Sequence, residues 1–203
     1  MTLFQIVKEV GWTIWPLLFA SVIALAIILE RSWRLRAPLI VPDGLLQRVL
    51  GELESGGLDE KMLTALERHS PLGQVLAAGV RSRNASREIM KESIEEVGRA
   101  VTHQLEHYLT TLGTIASIAP LMGLFGTVVG MIEMFGTQVP GSADPQVLAH
   151  GISVALYNTG FGILIAIPSM IFWRHFRAKA DGFVMEMEQR AVRLVEALHG
   201  ERV

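Results

Sequence analysis

The chain has no cysteine in 203 residues, which excludes disulfides, thiolate metal sites and cysteine nucleophiles. It also has no basic excess. The formal net charge is -2, so nothing in the overall balance points to nucleic acid. Charge itself is missing over long stretches. Val10 to Leu29 carries none, nor does His107 to Ile132 with histidine counted neutral, nor Gly151 to Trp173. A helix crosses the hydrocarbon core of a bilayer with about 20 mostly apolar residues, and each run is long enough. The mean hydropathy of +0.39 agrees. Three buried helices of a soluble core are the alternative, but a chain this size rarely buries three such helices all round. The first run also resembles a signal peptide, with "ALA" at 24–26. However, Lys8 and Glu9 cancel before it, and apolar residues continue past it to Leu29, which favours a retained span.

The flanks give an orientation. Arg31, Arg34 and Arg36 follow the first span, and Arg174, Arg177 and Lys179 follow the third. The short 137–149 connection has no lysine or arginine. The positive-inside rule puts the arginine-rich ends in the cytoplasm, with the N-terminus and the 137–149 loop outside. Trp12, Trp15, Trp33 and Trp173 stand near span ends, where indoles favour the interface.

Between spans one and two, "APLIVPDG" reads as a linker, because its prolines and glycine break helices. "LLQRVLGELES" and "LDEKMLTALERH" read as short amphipathic helices. In "HSPLGQVLAAGV", Ser70 suits an N-cap and Pro71 the first helical position. Met90, Ile94, Val97, Val101, Leu105, Leu109 and Leu112 step by three and four, which is one helical face. It enters span two without a break signal and predicts one helix over about 86–135. Phe176, Ala180, Phe183, Met187, Ala191, Leu194 and Leu198 extend span three in the same way, predicting a helix over about 149–199. A membrane-surface helix is the alternative for 176–198, but its mixed charge argues against that.

Two stripes of small residues stand out. Ala116, Ala119, Gly123, Gly126 and Gly130 share a face of span two, beside Thr127. Ala155, Thr159, Gly162, Ala166 and Ser169 share one on span three, with Ser153 and Asn158 nearby. Helices in lipid associate through close backbone approach, dispersion and hydrogen bonds, and small residues permit that approach. Two readings stand: packing of spans two and three within one chain, or the wall of a space occupied by something else. The hydroxyls of Thr127 and Thr159 favour the second, since polar groups in a membrane face protein or water. Pro120 and Pro168 interrupt hydrogen bonding mid-span and by themselves say nothing of function.

No Asp, Glu, Lys or Arg lies within the spans, so this subunit alone has no group for relaying protons, and a partner must bring one. Glu30 and Glu133 lie at membrane edges and His150 starts span three. Glu133 and His150 are candidates for an outer entry, against the commoner role of interfacial solvation. His69, His103, His107 and His175 are scattered, and nothing resembles a nucleophile–base set. His103 and His107 stand four apart on the predicted helix, without a third ligand. No enzyme activity, cofactor or metal is expected.

"LGTIASIAPLMGLFGTVVGMIEMF" at 112–135 closely resembles the second transmembrane helix of the ExbB/TolQ/MotA family. "GISVALYNTGFGILIAIPSMIFW" at 151–173 resembles the third, and "ALAIILERSWRLR" at 24–36 the end of the first, with its Glu-Arg pair. "SPLGQVLAAGV" at 70–80 is similar to part of the cytoplasmic region. Three spans with a cytoplasmic insertion after the first match ExbB and TolQ; four-span MotA-type stators do not fit. The resemblance implies an all-α integral inner-membrane protein, homo-oligomeric as a pentamer, whose second and third helices extend far into the cytoplasm. It implies a pore lined by those helices, holding an ExbD- or TolR-like dimer whose aspartate carries protons, and a motor driving a TonB- or TolA-like protein. Thr127 and Thr159 match the family's pore-facing threonines, and Gly123, Gly126, Gly130, Ala155, Asn158, Gly162 and Ala166 are taken as partner-facing with them. One position departs: ExbB and TolQ commonly have a glutamate where this chain has Val154.

The expected organisation is an outer N-terminus and first span (1–36), a cytoplasmic helical region (37–110), a second span (111–136), a periplasmic loop (137–149), a third span (150–173) and a cytoplasmic C-terminal helix (174–203). The expected function is an ExbB-like proton-channel and motor subunit that energises TonB-dependent outer-membrane transport. A TolQ-like role in envelope integrity and a membrane scaffold without ion flux remain as alternatives.

Overall fold

A computed structural model describes residues 12–56, 59–136 and 145–200. Those residues form eight helices and no strand: α1 (Ile14–Arg34), α2 (Ala37–Ile40), α3 (Leu45–Glu54), α4 (Glu60–His69), α5 (Pro71–Arg81), α6 (Arg87–Glu106), α7 (Leu109–Gly136) and α8 (Pro145–Leu198). Three of them, α1, α7 and α8, are long and apolar enough to cross a membrane. The chain divides into an apolar unit, residues 1–30 and 108–175, and a charged unit, residues 31–107 and 176–203.

The charged unit is built round α5. The Ser70 hydroxyl accepts from the Gly73 amide and caps it, and Pro71 opens it. Leu72, Val75, Leu76, Ala77 and Val80 are all buried. α5 packs against α4 and α6. A Cβ at Gly79 would meet Leu194 Cδ2 at 2.8 Å and Ile94 Cδ1 at 3.1 Å, so α5 fits between α6 and the end of α8 only without a side chain there. The stripe read from the sequence of α8 supplies the other wall. Phe176, Ala180, Phe183, Met187, Ala191 and Leu194 are buried, and Leu198 is half-buried. Arginines tie the edges. Arg81 pairs with Glu60 and Glu67 on α4, and Arg190 donates to the Pro42 carbonyl at 3.1 Å. "APLIVPDG" is not wholly irregular. It holds the single turn α2, with Pro38 in its first turn, and Gly44 at φ 71° starts α3.

The helix expected over 86–135 is two helices. α6 ends at Glu106, His107 is extended (φ -53°, ψ 134°) and Tyr108 takes φ 65°. Leu105 thereby loses the amide that a continuing helix would have brought to its carbonyl. The Arg31 guanidinium, 3% exposed, donates Nη1 to that carbonyl at 3.3 Å. A cation at a helix C-terminus is also favoured by the aligned peptide dipoles. The break also removes the expected helical pairing of His103 and His107, because His107 caps α6 rather than continuing it.

A side chain in the left-handed region costs about 1–2 kcal/mol, more for a β-branched residue, and glycine escapes the cost. Tyr108→Gly should therefore keep thermal stability to within about 1 kcal/mol, whereas Tyr108→Val should lose about 1–2 kcal/mol. Thermal unfolding of the detergent-solubilised protein reads both; equal melting temperatures would contradict the assigned conformation.

Candidate functional site: a threonine pair beside a glycine seam

The apolar unit wears its large side chains outward. Phe19 on α1, Leu121, Leu124 and Phe125 on α7, and Leu164 and Ile171 on α8 are all more than half exposed. The small residues face inward. That is the reverse of a water-soluble bundle and what a lipid solvent asks for.

At the α7–α8 contact the backbones nearly touch. A Cβ on Gly123 would lie 2.7 Å from the Asn158 carbonyl oxygen and 3.0 Å from the Thr159 Cα. One on Gly162 would lie 2.6 Å from the Ala119 carbonyl oxygen and 3.1 Å from the Gly123 Cα. Gly126 is closed by the Asn158 side chain, its missing Cβ 2.6 Å from Cγ. Gly130 is looser, with the Ala155 Cβ at 3.5 Å. Ala119, Ala155, Asn158 and Ala166 are buried with them. Of the two readings of the stripes, packing within one chain is what these residues do here. Gly123, Gly126, Ala155, Asn158, Gly162 and Ala166 are covered by the chain's own helices, because the seam closes on itself.

Asn158 does more than pack. Its Nδ2 donates to Thr13 Oγ1 at 3.0 Å, which links α8 to the residue just before α1. Its Oδ1 is buried without a hydrogen-bond partner among the described residues. The sequence marked Asn158 as polar and missed Thr13. The available signal was that an amide inside an apolar span needs a partner on another helix.

Thr127 and Thr159 do come together. Their hydroxyls are 2.6 Å apart and half-buried, and Thr127 Oγ1 also lies 3.0 Å from the Ala155 carbonyl and 3.2 Å from that of Gly123. Each hydroxyl has one proton and two acceptor lone pairs. The arrangement that seats both protons has Thr159 donating to Thr127 and Thr127 donating to the Ala155 carbonyl. The free valences of the pair are then acceptors, two on Thr159 and one on Thr127. Successive helical residues are about 100° apart. Asn158 turns to Thr13, and Thr159, one residue on, turns to Thr127.

The remaining candidates stand apart from the pair. Glu133 is exposed near the end of α7. His150 falls within α8, but its side chain lies outside the described residues, as does the segment 137–144. Val154 is half-buried on α8, one turn before Asn158. Trp173, read as an interfacial anchor, lays its indole over Gly113, where a Cβ would meet Nε1 at 2.8 Å. Among the described residues no three His, Asp or Glu side chains are grouped to hold a metal.

Residues 67–189 match the model of the MotA/TolQ/ExbB proton channel family. The chain is 33% identical over 194 residues to the biopolymer transport protein exbB1 of Vibrio cholerae, covering 92% of this chain and 84% of that protein. It is 28% identical over 177 residues to the Tol-Pal system protein TolQ of Pseudomonas aeruginosa, covering 81% of this chain and 77% of that one.

Overpacking a closed contact costs about 1–3 kcal/mol. Gly123→Ala and Gly162→Ala should each lose about that much stability, since the obstructing atoms are backbone, and Gly130→Ala should lose little. Thermal melting in detergent measures this, and an undisturbed Gly162→Ala variant would contradict the seam.

Proposed function

This chain belongs to the MotA/TolQ/ExbB proton channel family, and from the threonine pair we propose that it is an ExbB-like channel and motor subunit of the bacterial inner membrane. On this reading several copies, five by resemblance, surround the transmembrane helices of an ExbD-like partner. The proton motive force then drives motion that reaches a TonB-like protein and energises outer-membrane transport. The N-terminus is periplasmic. The C-terminus is cytoplasmic, as are α2–α6 and the charged end of α8.

The single observation that carries the proposal is the position of Thr127 and Thr159. They are hydroxyls on half-buried residues, 2.6 Å apart, within the apolar runs of α7 and α8. The apolar runs of α1, α7 and α8 supply no Asp, Glu, Lys or Arg, so the titrating group belongs to the partner. Thr159, with its proton spent on Thr127, offers lone pairs. These accept a hydrogen bond from the protonated form of a partner carboxyl and give nothing to its charged form. The seam beneath is closed, so the pair sits on a fixed wall. A proton is then held at the level of the threonines until it leaves through the partner, and this subunit contributes position rather than titration.

A TolQ-like role in envelope integrity is the second reading, favoured by the 28% identity with the Pseudomonas aeruginosa protein. The two differ in what the motor drives. Restored siderophore uptake in a strain lacking its own ExbB-type subunit supports the first. Restored detergent resistance in a strain lacking TolQ, without uptake, supports the second.

The chemistry is tested in proteoliposomes holding the complex with its co-expressed native partner. Valine keeps the shape of threonine and removes the hydroxyl. Thr159→Val and Thr127→Val should lower proton flux by about two- to tenfold, one hydrogen bond's worth, while Thr159→Ser keeps most of it. Wild-type flux in an assembled Thr159→Val complex would overturn the assignment. Absence of flux in the wild-type complex would favour a scaffold.

A further inference from the structure

Where α1 ends, the chain builds a surface that neither the seam nor the threonine pair uses. Arg34 closes the helix, and Leu35, 1% exposed, is buried just after it. Arg36 is extended (φ -106°, ψ 134°), and its guanidinium carbon lies 4.6 Å from the centroid of the Trp33 ring. Trp33 is 67% exposed and Leu39, on α2, is 51% exposed; Arg34, Arg36 and Pro38 are exposed beside them. Arg36 makes no ion pair with a carboxylate among the described residues. The patch combines the Arg36 guanidinium, an indole and aliphatic surface, at the end of a helix apolar enough to span a bilayer.

We propose that this patch is a binding site for one anionic phospholipid of the leaflet at that end of α1. Each part of the lipid meets its own chemistry. The indole holds the guanidinium within cation–π range, and a guanidinium presents its N–H donors as a planar fork. That planar fork matches two oxygens of a phosphate, which a lysine ammonium does not. Arg34 adds a second positive charge. The Trp33 ring is amphipathic and sits well at the ester level of a bilayer, and Pro38 and Leu39 continue the apolar surface. A zwitterionic lipid presents the same phosphate, but its ammonium opposes the arginines. The site thus discriminates by headgroup charge. Leu35 matters because its burial fixes the turn that brings Arg36 back over Trp33.

The proposal is tested by fluorescence. A variant carrying Trp12→Phe, Trp15→Phe and Trp173→Phe leaves Trp33 as the single tryptophan. It is reconstituted in vesicles of phosphatidylcholine with rising fractions of phosphatidylglycerol or phosphatidylcholine brominated near the headgroup. A basic side chain near a membrane surface contributes enough for about a fivefold preference. Brominated phosphatidylglycerol should therefore half-quench Trp33 at about one fifth the mole fraction that brominated phosphatidylcholine needs. Arg36→Gln combined with Arg34→Gln should remove the preference, Arg36→Lys should keep only part of it, and Arg174→Gln, on another helix, should leave it intact. Equal quenching by the two lipids overturns the site. So does a preference that survives the double glutamine variant, or one lost equally in Arg174→Gln, which would report general surface charge. Native mass spectrometry of the unaltered chain gives a second reading independent of the tryptophan changes: retained phosphatidylglycerol supports the site, and indifferent retention of both lipids overturns it.

Discussion

The backbone approach of α7 and α8 at Gly123 and Gly162 is the constraint on which the rest of the apolar unit depends. Lipid tails are as apolar as leucine, so burying leucines between helices gains nothing there. What holds two spans together is contact at short range, and contact at short range needs side chains removed. A missing Cβ at Gly162 would stand 2.6 Å from the Ala119 carbonyl oxygen. That leaves no space for a methyl group, and it lets backbone pack on backbone. The closeness also determines what short side chains can reach. Thr127 crosses to the Ala155 carbonyl of the other helix at 3.0 Å, and it meets Thr159 at 2.6 Å. Were the helices separated by even one layer of ordinary side chains, neither bond would form.

Close approach sets the distance between helices but leaves their rotation open, and Asn158 addresses the rotation. A buried amide that loses its partner costs about 1–3 kcal/mol, so the bond from Nδ2 to Thr13 is a strong preference for one orientation of α8. Its Oδ1 stays without a partner among the described residues, so part of that penalty is borne in any case. The orientation so chosen has a consequence one residue on. With Asn158 committed to Thr13, Thr159 is brought beside Thr127. A polar contact that looks purely structural thus helps set where the Thr159 hydroxyl lies.

Much of this was legible in the sequence, for identifiable reasons. The three apolar runs mark α1, α7 and α8, because charge cannot be left in a bilayer core. Ser70 and Pro71 mark the start of α5, and the observed Ser70 to Gly73 bond is the one the motif prescribes. The stripe from Phe176 to Leu194 is buried as its spacing requires. The break at His107–Tyr108 was not legible. It carries neither glycine nor proline, and the stripe of apolar residues runs across it in register. What permits it is remote: Arg31, more than 70 positions earlier in the chain, satisfies the Leu105 carbonyl that the break exposes. The small-residue stripes were legible as close-contact surfaces. Their partner was not, because glycine spacing records that something comes near and not what it is.

The threonine pair also limits what this chain can do by itself. A hydroxyl does not titrate near neutral pH, and two hydroxyls hold two protons. In the arrangement that seats both, Thr159 gives its proton to Thr127 and Thr127 gives its own to a backbone carbonyl that cannot pass it on. The hydrogen-bonded chain therefore ends in the seam, and no proton leaves the pair in that direction. Val154 adds an apolar side chain one turn from Asn158. Around the pair, α8 offers one other titratable group within a turn, Tyr157, and it lies two residues and about 200° away from Thr159. The pair so furnished accepts a hydrogen bond at a fixed place and does not itself carry protons away. On the proposed reading that inertness is an advantage, because a second carboxylate close by would compete for a proton carried by a partner's acid.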